Sequence, residues 1–129
     1  MPNSEIKVAV IGAGNWGKNL VKNFYDLKAL AAVVDEDEER LSQLERAYPD
    51  VILLNRPDDL WDMSIPAVAI ATPASTHYEI AKEALSFGKD VFAEKPLTLR
   101  ASEAKELADL ARKKARILMV GHLLLYQPA

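Results

Sequence analysis

The sequence predicts an α/β domain, a doubly wound sheet of parallel strands with helices on both faces. Three observations carry this. Six short apolar runs alternate with longer amphipathic segments from one end of the chain to the other. The runs are nearly continuous in Val, Ile, Leu and Ala, as suits strands covered on both faces rather than one. The first run opens directly into a glycine-rich turn. At 129 residues the chain has room for one domain with a real core.

Taken in order, the strand-like runs are residues 7–11, 30–34, 51–54, 67–71, 90–93 and 116–120. The first helix is predicted from the stripe Trp16, Leu20, Val21, Phe24 and Leu27, and the second from Leu41, Leu44 and Tyr48. Pro57, followed by Asp58, Asp59, Leu60 and Trp61, suggests a short helix with proline in its first turn. Ile80, Ala81, Ala84 and Leu85 form the next stripe, closed by Gly88 as a left-handed cap. Residues 99–114 are rich in Ala, Glu, Leu and Lys, without glycine or proline, and read as the longest helix. The acidic run from Asp35 to Glu39 fits a strand end followed by a helix amino terminus, where carboxylates complement the dipole. Five helical connections between six strands, with right-handed crossovers, favour the strand order 3-2-1-4-5-6.

Composition narrows the function. Half of the residues are hydrophobic and 27% are charged, the balance of a globular protein, and no apolar run is long enough for a membrane helix. The chain contains no cysteine, which excludes disulfides, iron–sulfur clusters and thiolate zinc sites, and its two histidines leave little for any metal. A net charge of −3 is the wrong sign for a surface that lives on nucleic acid or anionic lipid. The first residues have neither the basic region nor the apolar stretch of a secretory signal, so a cytoplasmic location is expected.

Gly12-Ala13-Gly14-Asn15-Trp16-Gly17 is a G-x-G-x-x-G between a strand and a helix, the context the Rossmann dinucleotide fingerprint requires. Gly12 would permit the tight turn, Gly14 would let the backbone approach a pyrophosphate, and Gly17 would let helix and strand pack closely. The bland alternative is a glycine turn without a ligand. Asp35 lies 23 residues beyond Gly12 at the end of the second strand, where a carboxylate can accept the adenosine-ribose hydroxyls and repel a 2′-phosphate. Its alternative is an ordinary helix cap. The expected cofactor is therefore NAD rather than NADP. Thr72, Pro73 and His77 follow the fourth strand, Glu94, Lys95 and Pro96 the fifth, and Gly121 and His122 the sixth. Each histidine or lysine alone could be structural. In the predicted topology these strand ends adjoin along one crevice, so His77, Lys95 and His122 are expected to face a reaction centre.

Together, the glycine motif, Ala71-Thr72-Pro73 with His77, and above all Glu94-Lys95-Pro96 resemble the glucose–fructose oxidoreductase/inositol dehydrogenase (Gfo/Idh/MocA) family over the whole chain. The segment Gly121 to Ala129 is similar to the one leading out of that family's nucleotide domain. The wording leans toward members that oxidise the 3-hydroxyl of UDP-N-acetylhexosamine-type sugars. The resemblance implies a sugar, nucleotide-sugar or polyol substrate and hydride transfer to NAD. It assigns Gly12, Gly14, Asn15, Trp16, Asp35, Thr72, Pro73, His77 and Glu94 to the cofactor, where their places in the turn and after the sixth strand also put Gly17 and His122, and Lys95 to the reacting hydroxyl, where it would steady the developing alkoxide. The sequence leaves the bond before Pro96 open between cis and trans. Gln127 departs from the histidine that relatives often carry.

The family also has a second α/β domain that builds most of the substrate pocket. Residues 1–122 are therefore expected to be the NAD-binding Rossmann domain, and 123–129 the start of a connection to a substrate domain this chain lacks. The isolated chain is expected to bind cofactor without efficient turnover. The apolar run Leu123-Leu124-Leu125-Tyr126 and an uncovered domain face predict a homo-oligomer. Two other functions compete: a non-catalytic NAD(H)-sensing Rossmann module, which has no need of Lys95, and a CoA-binding domain, whose ligand's ribose phosphate Asp35 would oppose.

Overall fold

The structure, a computed structural model, describes residues 6–121. In chain order these form β1 (Val8–Ile11), α1 (Gly17–Asp26), β2 (Leu30–Val34), α2 (Glu38–Ala47), β3 (Ile52–Leu54), β4 (Ala67–Ile70), α3 (His77–Ser86), β5 (Asp90–Glu94), α4 (Ala101–Lys114) and β6 (Leu118–Gly121). All six strands pair in parallel in the order β3-β2-β1-β4-β5-β6, as the sequence predicts. His122 and the tail 123–129 lie outside the described residues, so the expectations placed on them have no structural counterpart here.

Alternation along the strands sorts side chains into two cores. Ala9 and Ile11 of β1 join Ala81, Ala84 and Leu85 of α3 and Leu107 and Ala111 of α4 on one face. Val8 and Val10 join Leu20 and Val21 of α1 on the other, with Leu44 of α2 packed at its margin. All four residues of β1 are buried, which explains why the run is uninterrupted by polar residues.

The helices largely follow the predicted stripes, with informative exceptions. Trp16 is 42% and Leu27 72% exposed, because helical α1 begins at Gly17 and ends at Asp26 and neither residue turns onto the sheet. Tyr48 lies just past α2 and packs against Tyr25, ring centroids 4.6 Å apart. Pro57–Leu60 is a single 3₁₀ turn rather than an α-helix. It nevertheless buries Leu60 completely, and Trp61 after it stacks on Phe87. The buried Lys89 amine ties this crossover to the sheet by donating to the carbonyls of Met63 (2.9 Å) and Ile65 (2.7 Å). Gly88 has φ +79°, the left-handed cap expected of it. Asp37 caps α2, its Oδ1 accepting from the backbone N–H of Glu39 and Arg40.

Candidate cofactor cleft at the sheet's carboxyl edge

The strand order reverses between β1 and β4, and the chain leaves these strands in opposite directions, opening a crevice at their carboxyl ends. A cavity of about 600 Å³ occupies it, within the range of small-molecule sites. Its walls are the β1–α1 turn, the end of β2, the start of α2, and the loop after β4.

The three glycines of the turn divide the work, and their surroundings say how. Gly12 has φ +97°, and a Cβ there would lie 2.9 Å from the Ala71 carbonyl group, so turn geometry and the neighbouring β4 loop both require glycine. A Cβ on Gly17 would fall 1.9 Å from the Gly12 carbonyl oxygen, so this glycine lets α1 sit directly on the turn. Gly14 is different. A Cβ there would meet nothing closer than the Arg40 guanidinium at 4.0 Å. Packing within the chain gives Gly14 no reason to be glycine, and the position stands open on the cavity. The α1 amino terminus behind it has no side-chain cap, and its positive dipole end opens on the cavity, an arrangement suited to phosphate.

Asp35 is buried, and its carboxylate holds the site together. Oδ2 accepts the Ala13 N–H at 2.8 Å and Oδ1 accepts the Asp37 N–H at 2.8 Å. The first bond straps the glycine turn to β2; the second shapes the entry into α2. Arg40 Nη1 stands 3.5 Å from Oδ2. A carboxylate has about four lone-pair sites. The two backbone bonds therefore leave it acceptor capacity toward the cavity, which Asp35 lines together with Glu36. Asn15, Trp16, Thr72 and Pro73 also line the cavity. Within the β4 loop the Thr76 hydroxyl lies 2.7 Å from both Thr72 Oγ1 and the Pro73 carbonyl, fixing its shape.

The remaining predicted residues lie off this cavity. His77, the first residue of α3, is only 2% exposed. It does not face the crevice, as the sequence suggests it should. Its Nδ1 is 2.9 Å from the Pro96 carbonyl and its Nε2 2.8 Å from the Thr72 carbonyl, so the ring bridges the loops after β4 and β5. A neutral imidazole donates to one of these; only the doubly protonated ring donates to both. Glu94 ends β5 opposite Gly121, and Lys95 donates its backbone N–H to the Gly121 carbonyl at 3.0 Å. The Lys95 side chain is exposed, and the Lys95–Pro96 bond is cis. Glu94 and Lys95 thus stand at the same sheet edge, two strands along from β1.

Sequence reasoning passed over Arg40, Asn55, Pro57 and Ile80, all of which line the cavity. Arg40 carried a usable signal: it lies three residues after the Asp37 cap, so the first turn of α2 turns it back toward Asp35. The others belong to elements distant in sequence and become neighbours only through the strand order.

Comparison with known proteins agrees with this geometry. Residues 6–122 match the family model described as the oxidoreductase family, NAD-binding Rossmann fold, of Gfo/Idh/MocA type. The chain is 33% identical to UDP-N-acetylglucosamine 3-dehydrogenase from Acidithiobacillus ferrooxidans, covering 96% of this chain and 39% of that protein. It is 35% identical to scyllo-inositol 2-dehydrogenase (NAD(+)) from Bacillus subtilis, covering 97% of this chain and 38% of the relative. The crystal structure of GenD2 from gentamicin A biosynthesis, in complex with NAD, superposes with a TM-score of 0.89 at 29% identity, covering 98% of this chain and 37% of that one. The chain thus spans well under half the length of each of these proteins.

Proposed function

Because the chain belongs to the Gfo/Idh/MocA oxidoreductase family, we propose that it is the cofactor-binding domain of a dehydrogenase that takes hydride from a secondary alcohol to NAD. The alcohol is carried by a sugar, nucleotide sugar or polyol, the substrate class named for the two relatives above. The observation that carries the reading is the open position at Gly14, left clear beside a buried carboxylate that is strapped to the same turn.

Bound in this cleft, NAD supplies the hydride acceptor. The chain's own residues then have distinct tasks. The Gly12 to Gly17 turn and the α1 amino terminus receive the pyrophosphate; Asp35 accepts the adenosine-ribose hydroxyls; Thr72 and Pro73 border the middle of the cofactor. Glu94 would border the nicotinamide ribose, and Lys95 would hydrogen-bond the substrate oxygen while the carbinol C–H passes as hydride to the cofactor and the hydroxyl proton is released to solvent, leaving a carbonyl. His77 serves by tying the two loops together rather than by touching the cofactor. Residues 1–122 form the domain, and 123–129 begin the connection to a substrate-binding domain. Since the chain spans 39% of the first relative, these 129 residues alone bind cofactor but do not hold a substrate in line for rapid turnover.

Titration calorimetry tests the assignment. NAD should bind more tightly than NADP by more than tenfold, or over ~1.4 kcal/mol, because Asp35 opposes a 2′-phosphate. Asp35→Ala should narrow that gap. Equal affinities in the unaltered chain would remove Asp35 from the ribose.

A further inference from the structure

Asp35 does not face the cavity alone: a cation stands beside it. Arg40 lies on the first turn of α2, with Nη1 3.5 Å from the Asp35 carboxylate. Its Nη2 reaches over the glycine turn, 4.0 Å from where a Gly14 Cβ would be. The guanidinium therefore stands at the rim of the cavity between the ribose acid and the phosphate-binding turn. It is the one cationic side chain lining that cavity among the described residues, against the carboxylates of Asp35 and Glu36.

We propose that Arg40 is a specificity-determining residue that limits how strongly this site rejects a 2′-phosphorylated nicotinamide cofactor. The proposal rests on the reading of this cleft as the NAD site. Three physical points support it. First, a guanidinium beside a carboxylate offsets part of the local negative charge, so the repulsion Asp35 exerts on a phosphate is smaller than its own charge implies. Second, the Arg40 side chain is 49% exposed and its contact with Asp35 is long. A half-exposed ion pair of this kind is weak, so little opposes its redirection toward a ligand. Third, the guanidinium fork matches phosphate oxygens, and an arginine near the ribose acid is the usual means of accepting a 2′-phosphate. Asp35 cannot move in the same way, because both its oxygens are bound to backbone N–H groups. The two residues therefore act unequally: a fixed anion sets the preference for NAD, and a half-exposed cation caps it.

The sign of the expected effect is distinctive. Removing a cation that faces anionic ligands would weaken both cofactors to a similar degree if it acted only on their shared pyrophosphate. Acting at the 2′ position, it must change the ratio. In calorimetric titrations at low salt, Arg40→Ala should weaken NADP at least tenfold more than NAD, widening the preference for NAD. Arg40→Lys, which keeps the charge but loses the fork, should lie between. Thermal unfolding of each variant should match the parent, as befits an exposed side chain; Arg40→Gln, titrated alongside, keeps the length of the side chain and should also widen the ratio. A ratio unchanged or narrowed in both Arg40→Ala and Arg40→Gln overturns the proposal. If the unaltered chain binds neither cofactor, the reading of the cleft fails instead, and the two failures are told apart.

Discussion

At the scale of the single residue, the Lys89 amine is buried against the carbonyls of Met63 and Ile65. Burial pushes it below the ordinary value of 10.5. At neutral pH the folded and unfolded chains both carry that proton, and the folded state bears the cost of a buried charge. As pH rises through the depressed value toward 10.5, the folded chain sheds the proton first, so its stability rises relative to a chain without the group. Lys89→Met should lose about 1–3 kcal/mol at neutral pH, from two carbonyls left without a donor. In urea unfolding, the deficit of the variant should grow as pH is raised into that window. A deficit independent of pH would show that the amine is not desolvated. None of this is legible in sequence, since a lysine between a helix cap and a strand gives no sign of being buried. Gly12 and Gly17 are legible, because a tight turn and a close helix approach each demand glycine. The orientation of His77 is not, because a histidine at a strand's carboxyl end is equally compatible with facing a ligand or bridging two carbonyls. The loop carrying Pro96, brought alongside by the β4–β5 pairing, decides between them.

Elements were legible where periodicity was strong and their ends where a special backbone conformation had its usual residue. Gly88 marked the end of α3 correctly. The ends of α1 and α4 carry Lys28 (φ +61°) and Ala115 (φ +56°) in the left-handed region, positions where glycine is the normal signal. The sequence does not separate an α-helix from the 3₁₀ turn in the β3–β4 crossover, because proline followed by acids is common to both starts. The β1–α1 turn is the element whose function can be dissected most cleanly. Gly17→Ala must displace the turn, since its Cβ would fall 1.9 Å from a carbonyl oxygen, and should cost about 2 kcal/mol or more in stability. Gly14→Ala meets only Arg40 at 4.0 Å and should leave the fold's stability within about 0.5 kcal/mol, while weakening NAD at least tenfold. Comparing melting temperatures with binding constants for both variants separates the two roles. Equal stability losses would contradict the division of labour among the glycines.

At the scale of the molecule, topology followed from the alternation of strands and helices, because right-handed crossovers leave few alternatives to the observed order. What covers each face was less legible. Helices α1 and α2 stop over β1–β3, and on that side of β5 and β6 the register places Phe92 beside Met119, with Met119 56% and nearby Ile117 62% exposed. Apolar surface of this kind favours self-association. Light scattering should show species larger than a monomer as concentration rises, and replacing Ile117 and Met119 together by lysine should suppress them. A monomer at all concentrations would show that this face is tolerated in water.

In the proposed function, the turn from Gly12 to Gly17, the acid Asp35 and the loop at Thr72 form one nicotinamide-dinucleotide site. Amide NMR during an NAD titration of the isotope-labelled chain tests it most directly. Saturable shifts are predicted for Gly12, Ala13, Gly14, Asp35 and Thr72, with the resonances of α4 and β3 nearly still. Absence of saturable shifts, or shifts gathered on the exposed face of β5 and β6, would contradict it.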